Sequence, residues 1–360
     1  MNKIVTILGA RPQFVKAAVL SRIIKKHHQI EEIIVHTGQH FDANMSDVFF
    51  DEMNIPKPKY NLAINSLSHG AMTGQMLEKI EQILVDEKPN AVVIYGDTNS
   101  TIAGALAAKK LQIKVIHIEA GLRSFNMKMP EEINRILTDR ISDLLSCPTE
   151  TAIKNLQKEG FDNLPILIEK HGDIMKDAVE FYSKISEEKS AIIKDLKLEK
   201  DNFVLATIHR QENTDDIEKL KSIFAGLEEI HQQKQVVLPI HPRTKKILEQ
   251  HHLAPKITFI NPVGYFDMLE LLKNCNLVIT DSGGLQKEAF FNKKYCIIAR
   301  EETEWIELVE NGFAKIIGSN QQKMMDAFEE FNDSDADFNI NLYGENVGEK
   351  IYQSIIHLIN

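Results

Sequence analysis

Short runs of Val, Ile and Leu alternate along the chain with longer stretches whose apolar residues recur every three or four positions. In the first half the runs are KIVTILG, EEIIVHTG, AVVIYGD, VIHIEAG, LLSCPT and PILIEKHG. The second half repeats the style with NFVLATIH, QVVLPIH, ITFINP, NLVITDSGG, YCIIAR and AKIIG. Such nearly continuous apolar runs mark strands buried on both faces, and the stretches between them, GQMLEKIEQILVDE and STIAGALAAKKL among them, carry helical periodicity. Strand and helix in alternation predict an α/β fold with parallel sheets. Because the pattern runs twice, two Rossmann-like doubly wound domains are expected. The first covers residues 1–170 and is rejoined by a C-terminal helix over 346–360; the second covers 171–345. Two such sheets would enclose a central cleft, and open α/β sheets bind ligands outside the carboxyl ends of their strands.

Composition narrows the function classes. The 360 residues carry a formal charge of -10 and a pI near 5.8, which argues against a nucleic-acid or anionic-membrane partner needing a wide positive field. Cys147, Cys275 and Cys296 are scattered, lack CxxC spacing and lie in or beside apolar runs, so they read as core thiols in a reducing compartment and no metal site is expected. MNKIVTILGA enters a strand directly and no apolar run reaches membrane-spanning length, so a cytoplasmic protein is expected.

Candidate chemistry sits at the strand ends. LGARPQFVK, residues 8–16, is neither GxGxxG nor GxxxxGK[ST], so a dinucleotide site in the usual place and a Walker-type ATPase lose support. Gly9 permits a tight turn and Pro12 suits a first helical turn. Arg11 and Lys16 are then either solvated charges of a plain strand–helix turn or cations holding phosphate or sugar oxygens. In YGDTNSTIAGALAA, Asp97 follows a buried strand and, taken alone, would read as a helix cap. HIEAGLRSFNMKMPEEINRILTDR crowds Glu119, Arg123, Glu131, Glu132 and Arg135 around one turn. An i,i+4 ion pair accounts for Glu131 and Arg135 but not for Glu119. Convergence of Asp97, Glu119 and Glu131 would raise the proton affinity of at least one of them, which suits proton transfer at carbon.

In the second half, ATIHRQEN places His209 and Arg210 at a strand end, where they read as functional. LPIHPRT repeats the pattern with His241 and Arg243, as a structural pair or a ligand rim. The pairs His27-His28 and His251-His252 read as surface. ITDSGGLQKEA ends a strand in Asp281 and opens a helix with Ser282, Gly283 and Gly284, whose free N–H groups suit phosphate oxygens. Glu288 stands where a carboxylate could accept both hydroxyls of a ribose, and YCIIAREETEW adds Thr303 and Glu304 at another strand end.

Taken together, GARPQFVK, YGDTNST, HIEAGLRS with PEEINR, the HR of TIHRQEN and DSGGLQKE resemble the non-hydrolysing UDP-N-acetylglucosamine 2-epimerase family over essentially the whole chain. The resemblance implies a GT-B-like fold, no cofactor and no metal, a UDP-sugar substrate, and a homodimer, for which AMTGQMLEKIEQIL offers apolar area. It implies catalytic roles for Lys16, Asp97, Glu119, Glu131 and His209. It also implies UDP or substrate binding by Arg11, Arg135, His241, Ser282, Gly283, Gly284 and Glu288. The family's reaction inverts the sugar's C2 by eliminating UDP to a 2-acetamidoglucal and adding it back, in the supply of bacterial surface polysaccharide precursors. Several departures resemble the branch acting on UDP-2,3-diacetamido-2,3-dideoxyglucuronic acid. They are GARPQ for GTRPE, HGD (His171, Gly172, Asp173) for TGN, MPEE for WPEE, and TEWIE for TERPE, which puts Trp305 where a basic residue is usual. Gln13 in place of Glu would remove repulsion from a sugar carboxylate, and Lys128 would attract one. Phe41 in TGQHFDANM leaves open whether the family's allosteric UDP-GlcNAc site is kept. A hydrolysing 2-epimerase and a GT-B glycosyltransferase would share the cleft and the UDP site, whereas a UDP-sugar sensor would not need the three carboxylates.

Overall fold

The computed structural model describes residues 1–39, 50, 53, 55–334 and 336–360. Phe41, which bears on whether the family's allosteric site is kept, lies outside them. The chain forms two compact units, residues 1–178 with 341–360 and residues 179–340. The division passes inside the helix Ile174–Lys189, later than the expected join at 170, and the return falls at 341 rather than 346.

The first unit carries β1 (Asn2–Leu8), β2 (Ile30–His36), β3 (Tyr60–Asn61), β4 (Ala91–Tyr95), β5 (Lys114–Ile118), β6 (Leu144–Cys147) and β7 (Leu167–Lys170) in the order β3-β2-β1-β4-β5-β6-β7. The second carries β8 (Phe203–Thr207), β9 (Gln235–Pro239), β10 (Thr258–Ile260), β11 (Leu277–Thr280), β12 (Tyr295–Ile298) and β13 (Ala314–Ile316) in the order β10-β9-β8-β11-β12-β13. Every ladder pairs parallel strands. All twelve apolar runs are strands; the two-residue β3 is too short for periodicity to show. In each sheet the order reverses beside the first strand, between β1 and β4 and between β8 and β11, and such a switch point leaves a crevice at the carboxyl ends.

Burial explains the continuous apolar runs. β4 and β8 have no exposed residue, and helices cover both faces of their sheets. Met76, Ile80, Ile83 and Leu84 of the helix His69–Glu87 are spent on the first unit's own core, and Val85 is its exposed large apolar residue. The apolar stripe that suggested a docking face is thus largely used within the chain. All three cysteines are buried free thiols, and burial pushes Cys275 up to about 12.

The helix Val347–Ile359 packs on the helix Arg11–His27. A side chain at Gly348 would come within 2.8 Å of Val19, so glycine allows the close approach. His27 corrects the surface reading. Its ring stacks on Tyr352 at 4.5 Å and its Nε2 lies 2.7 Å from Glu349 Oε1, because the returning C-terminal helix covers a residue that is terminal in its own helix. No helix is long and apolar enough to cross a membrane among the described residues.

Candidate active site

In the first unit the polar residues gather where β1, β4 and β5 end. Gly9 follows β1, and its reason is close approach rather than turn torsion: a Cβ would sit 2.0 Å from Ser100 Oγ and 2.4 Å from Thr37 Oγ1. Gln13, 2% exposed, uses its whole amide inside the protein. Its Oε1 accepts from the Gly9 and Ala10 N–H groups at 2.7 and 3.0 Å; its Nε2 reaches Tyr95 O at 2.7 Å and the Thr98 and Thr101 hydroxyls at 3.0 Å. The side chain therefore ties the β1 turn to the β4 turn across the switch point. A carboxylate at this position would lack the Nε2 donor that Tyr95 O uses. Lys128 lies on an exposed loop, its backbone N–H bonded to Asn126 Oδ1.

Arg11 opens the helix Arg11–His27 and is half-buried. Lys16, 5% exposed, places Nζ 2.6 Å from Glu119 Oε1. Both lie close over Gly96, whose absent Cβ would be 3.5 Å from Glu119 Oε1 and 3.9 Å from Lys16 Nζ. Glu119 has a φ of +72°, a left-handed conformation costing a non-glycine residue about 1–2 kcal/mol. It is held there by the Glu119 and Ala120 N–H groups, both donating to Ser146 O at 3.1 Å. Gly121, also left-handed, completes the turn against Ala152 O, where a Cβ would be only 2.7 Å away. Strain of this kind is retained where the surroundings dictate the direction of a side chain.

Asp97 follows β4 and Gly96. Arg135 Nη2 lies 2.5 Å from Asp97 Oδ2, its Nη1 lies 3.0 Å from Glu132 Oε2, and Asn134 Nδ2 donates to Asp97 O at 2.9 Å. The expected Glu131–Arg135 pair is therefore corrected. Arg135 turns inward, 4% exposed, and takes buried Glu132, whose oxygens also receive the Ser124 and Phe125 N–H groups. Glu131 stays half-buried on the helix face that carries Asn134 and Arg135, with no hydrogen bond or ion pair among the described residues. Rather than carboxylates in mutual repulsion, the site interleaves Lys16 and Arg135 with Glu119, Asp97 and Glu132.

One ionisable network here escaped the sequence reading. His117, on β5 and fully buried, places Nδ1 2.7 Å from Asp139 Oδ1 and Nε2 2.7 Å from Gly96 O. Arg123 Nη1 donates to Asp139 Oδ2 at 2.7 Å, and its Nε and Nη2 reach Glu159 at 2.7 and 2.8 Å. The signal was present in VIHIEAG, since a histidine inside a strand buried on both faces must have polar partners.

In the second unit His209 and Arg210 follow β8, and Asp281 follows β11, the adjacent strand at the switch point. Asp281 is fully buried and accepts the N–H groups of His209 at 2.9 Å and Arg210 at 2.9 Å, with Asn213 Nδ2 at 3.1 Å. It fixes the His209 backbone while the side chain stays open to solvent, Nδ1 3.3 Å from Asp281 Oδ1. His241 Nδ1 accepts from the Arg243 N–H at 3.2 Å and caps the helix Pro242–Gln250. Its ring centroid lies 5.6 Å from that of His209, and burial, then the His209 and Arg243 charges, lower its proton affinity.

Ser282 caps the helix Gly283–Phe291 by backbone alone. Neither glycine is demanded by torsion or by a clash: a Cβ on Gly284 would meet only Glu288 Oε1 at 3.9 Å. One on Gly283 would stand 3.7–3.8 Å from Glu304, Arg210 and Arg300. Their absent side chains leave the first amides of the helix uncovered beside two guanidinium groups, a setting for an anion. Arg300 was not singled out from the sequence, although YCIIAR ends in it. It forms a two-pronged pair with Glu304 at 2.9 and 3.1 Å. Thr303 Oγ1 donates to Gln286 at 2.6 Å, and buried Trp305 lies under the Lys287 ammonium at 4.2 Å. These residues clamp the segment onto the helix.

Comparison with known proteins identifies the family. Residues 22–356 match the family model for UDP-N-acetylglucosamine 2-epimerase. A UDP-2,3-diacetamido-2,3-dideoxy-D-glucuronate 2-epimerase of Pseudomonas aeruginosa is 52% identical over 326 residues, 90% of this chain and 91% of that one. A UDP-N-acetylglucosamine 2-epimerase of Methanocaldococcus jannaschii is 46% identical over 338 residues, 91% of each. The crystal structure of the M. jannaschii UDP-GlcNAc 2-epimerase with UDP-GlcNAc and UDP superimposes with a TM-score of 0.91 at 43% identity, covering 99% of both chains. That of the Neisseria meningitidis enzyme bound to UDP-GlcNAc gives 0.88 at 30%, covering 99% and 100%. The two parallel α/β units are of the GT-B-like kind these enzymes share. The chain is an isomerase and belongs to the UDP-N-acetylglucosamine 2-epimerase family.

Proposed function

We propose that the protein inverts C2 of a UDP-2-acetamido sugar without hydrolysis. The observation that carries this reading is the pair of strand-end carboxylates Asp97 and Glu119, each set against a cation, Arg135 and Lys16, with Glu131 one turn before Arg135 on the same helix. One carboxylate takes the C2 proton while the C1–O bond breaks, its electron pair leaving with UDP and a C1=C2 double bond remaining. A second carboxyl group, carrying a proton at the outset, gives it to the opposite face of C2 and ends ionised, and a diphosphate oxygen rebonds to C1. The atoms balance without oxidant or reductant. Lys16 and Arg135 hold the carboxylates in place. The uncovered amides of Gly283 and Gly284, with Ser282 and Arg210, take the charge that develops on departing UDP, Glu288 takes the ribose, and His209 protonates or orients the diphosphate.

Two sugars fit. UDP-GlcNAc is what many of the relatives are named for. The 52% identity to the diacetamidoglucuronate epimerase favours that uronate as the second reading. Either product would serve as a surface polysaccharide precursor. Proton NMR in D2O with each UDP-sugar decides: deuterium entering C2 as the manno-type UDP-sugar appears supports the reading, and the faster substrate is the native one. Free sugar with UDP would mean that water captures the glycal, and retention of the C2 proton in both sugars would overturn the reading.

A further inference from the structure

The turns that carry Asp97 and Glu119 are joined by a side chain that the proposed reaction does not use. His117 lies two residues before Glu119, and its Nε2 meets the carbonyl of Gly96, the residue before Asp97, at 2.7 Å. On its other side Nδ1 meets the Asp139 carboxylate at 2.7 Å. A carbonyl oxygen only accepts, and an ionised carboxylate only accepts, so both contacts are hydrogen bonds only if the ring carries a proton on each nitrogen.

The surrounding charges keep Asp139 ionised. Burial alone would push its carboxyl up, but the hydrogen bond and charge of His117, followed by those of Arg123, hold it below its usual range. The Gly121 N–H also donates to its Oδ2 at 3.2 Å. Arg123 is balanced in turn by exposed Glu159, so the network contains two cations and two anions. Cys147, the other titratable group near Asp139, has its thiol pushed well up by burial and stays neutral.

We propose that His117 is a positioning residue, a buried imidazolium whose Nε2–H grips the Gly96 carbonyl and sets the turn from which Asp97 projects. Left-handed Gly96 has no side chain to fix its torsions, and among the bonds of the described residues it is otherwise tied to β5 through its N–H, which donates to Ile118 O at 2.9 Å. With His117 in place the peptide planes before and after Gly96 are both held from β5. The kinetic part of the proposal rests on the epimerase reading; the protonation state does not.

The test uses the full chain with ring-15N histidine, the His117 signals identified by their loss in His117→Gln. Both ring nitrogens are expected at protonated-type shifts, as two N–H donors require. One unprotonated ring nitrogen overturns the proposal. In Asp139→Asn the ring is expected to become neutral and kcat to fall about 10²-fold, the scale of a roughly 1 Å misplacement, with KM within about threefold. His117→Gln, which can still donate to Gly96, is expected to recover part of the rate lost in His117→Leu. If both variants keep the kcat of the native chain and shift only Tm, His117 is a packing residue and the proposal fails. If the native chain exchanges no deuterium at C2, the functional reading alone falls, since the ring nitrogens are observed without substrate.

Discussion

Arg135 reaches Asp97 and Glu132 at once, with Nη2 2.5 Å from one carboxylate and Nη1 3.0 Å from the other. One guanidinium thereby joins a strand-end acid to the buried acid that braces the loop preceding the helix Pro130–Ile141. Removing it strands Glu132, 0% exposed, without its counter-charge. Arg135→Ala is expected to lose about 3–5 kcal/mol of stability, the usual result of breaking a buried pair from one side. Urea unfolding at pH 7 measures this. Arg135→Lys should recover only part of it, because one ammonium cannot serve two carboxylates in a fixed fork. An Ala variant as stable as the native chain would show that the pair is not formed.

Gln13→Glu tests the brace across the first switch point. One carboxylate oxygen can still accept from Gly9 and Ala10, but the other would face the Tyr95 carbonyl that Gln13 Nε2 now meets at 2.7 Å. The expected cost is about 1–2 kcal/mol for the lost donor. Because the Gln13 amide is spent on protein partners, the ratio of rates on UDP-GlcNAc and on the uronate is expected not to move; a ratio shifted away from the uronate would show that glutamine here relieves charge repulsion.

Gly283→Ala and Gly284→Ala should separate binding from folding. Neither glycine has a left-handed φ or a clash at Cβ, so alanine is expected to leave stability unchanged or raise it by roughly 0.5–1 kcal/mol. Titration calorimetry with UDP should nevertheless show affinity weakened by about tenfold or more, as hydrogen bonds to a charged group are obstructed. Equal affinity in both variants would remove the diphosphate from this helix end.

Acid lability should trace in part to Glu87. It receives Lys59 Nζ at 2.5 Å, the Tyr60 hydroxyl at 2.7 Å and Lys3 Nζ at 3.1 Å. Lys59 first, then Tyr60, lower its carboxyl from the ordinary 4.5 to about 2. A folded-state value below the unfolded one contributes stability that is fully present above about pH 4.5 and lost as the pH falls through about 2. Glu87→Gln should lose roughly 1 kcal/mol at pH 7, a figure discounted for the solvent around Lys59. Its unfolding midpoint should also vary less than that of the native chain between pH 5 and pH 2. Parallel pH profiles for the two proteins would rule out the contribution.

What the amino-acid sequence determined by itself was the alternation of strand and helix, the doubling of that pattern, and the strand-end positions of Arg11, Asp97, Glu119, His209 and Ser282. These follow from short-range physics: apolar periodicity, turn residues and helix-start signals act over a few residues and need no knowledge of neighbours in space. Pairing was decided only by tertiary structure. Helix spacing suggested Glu131 for Arg135, but burial turned that side chain toward Glu132 and Asp97, 38 residues away. The bond of Gln13 to Tyr95 exists only because β4 lies beside β1, and His117 had no visible partner until the helix holding Asp139 folded over β5. A buried charge must find its counterpart wherever the sheet order delivers one, and that order, with β1 beside β4, is a property of the whole domain.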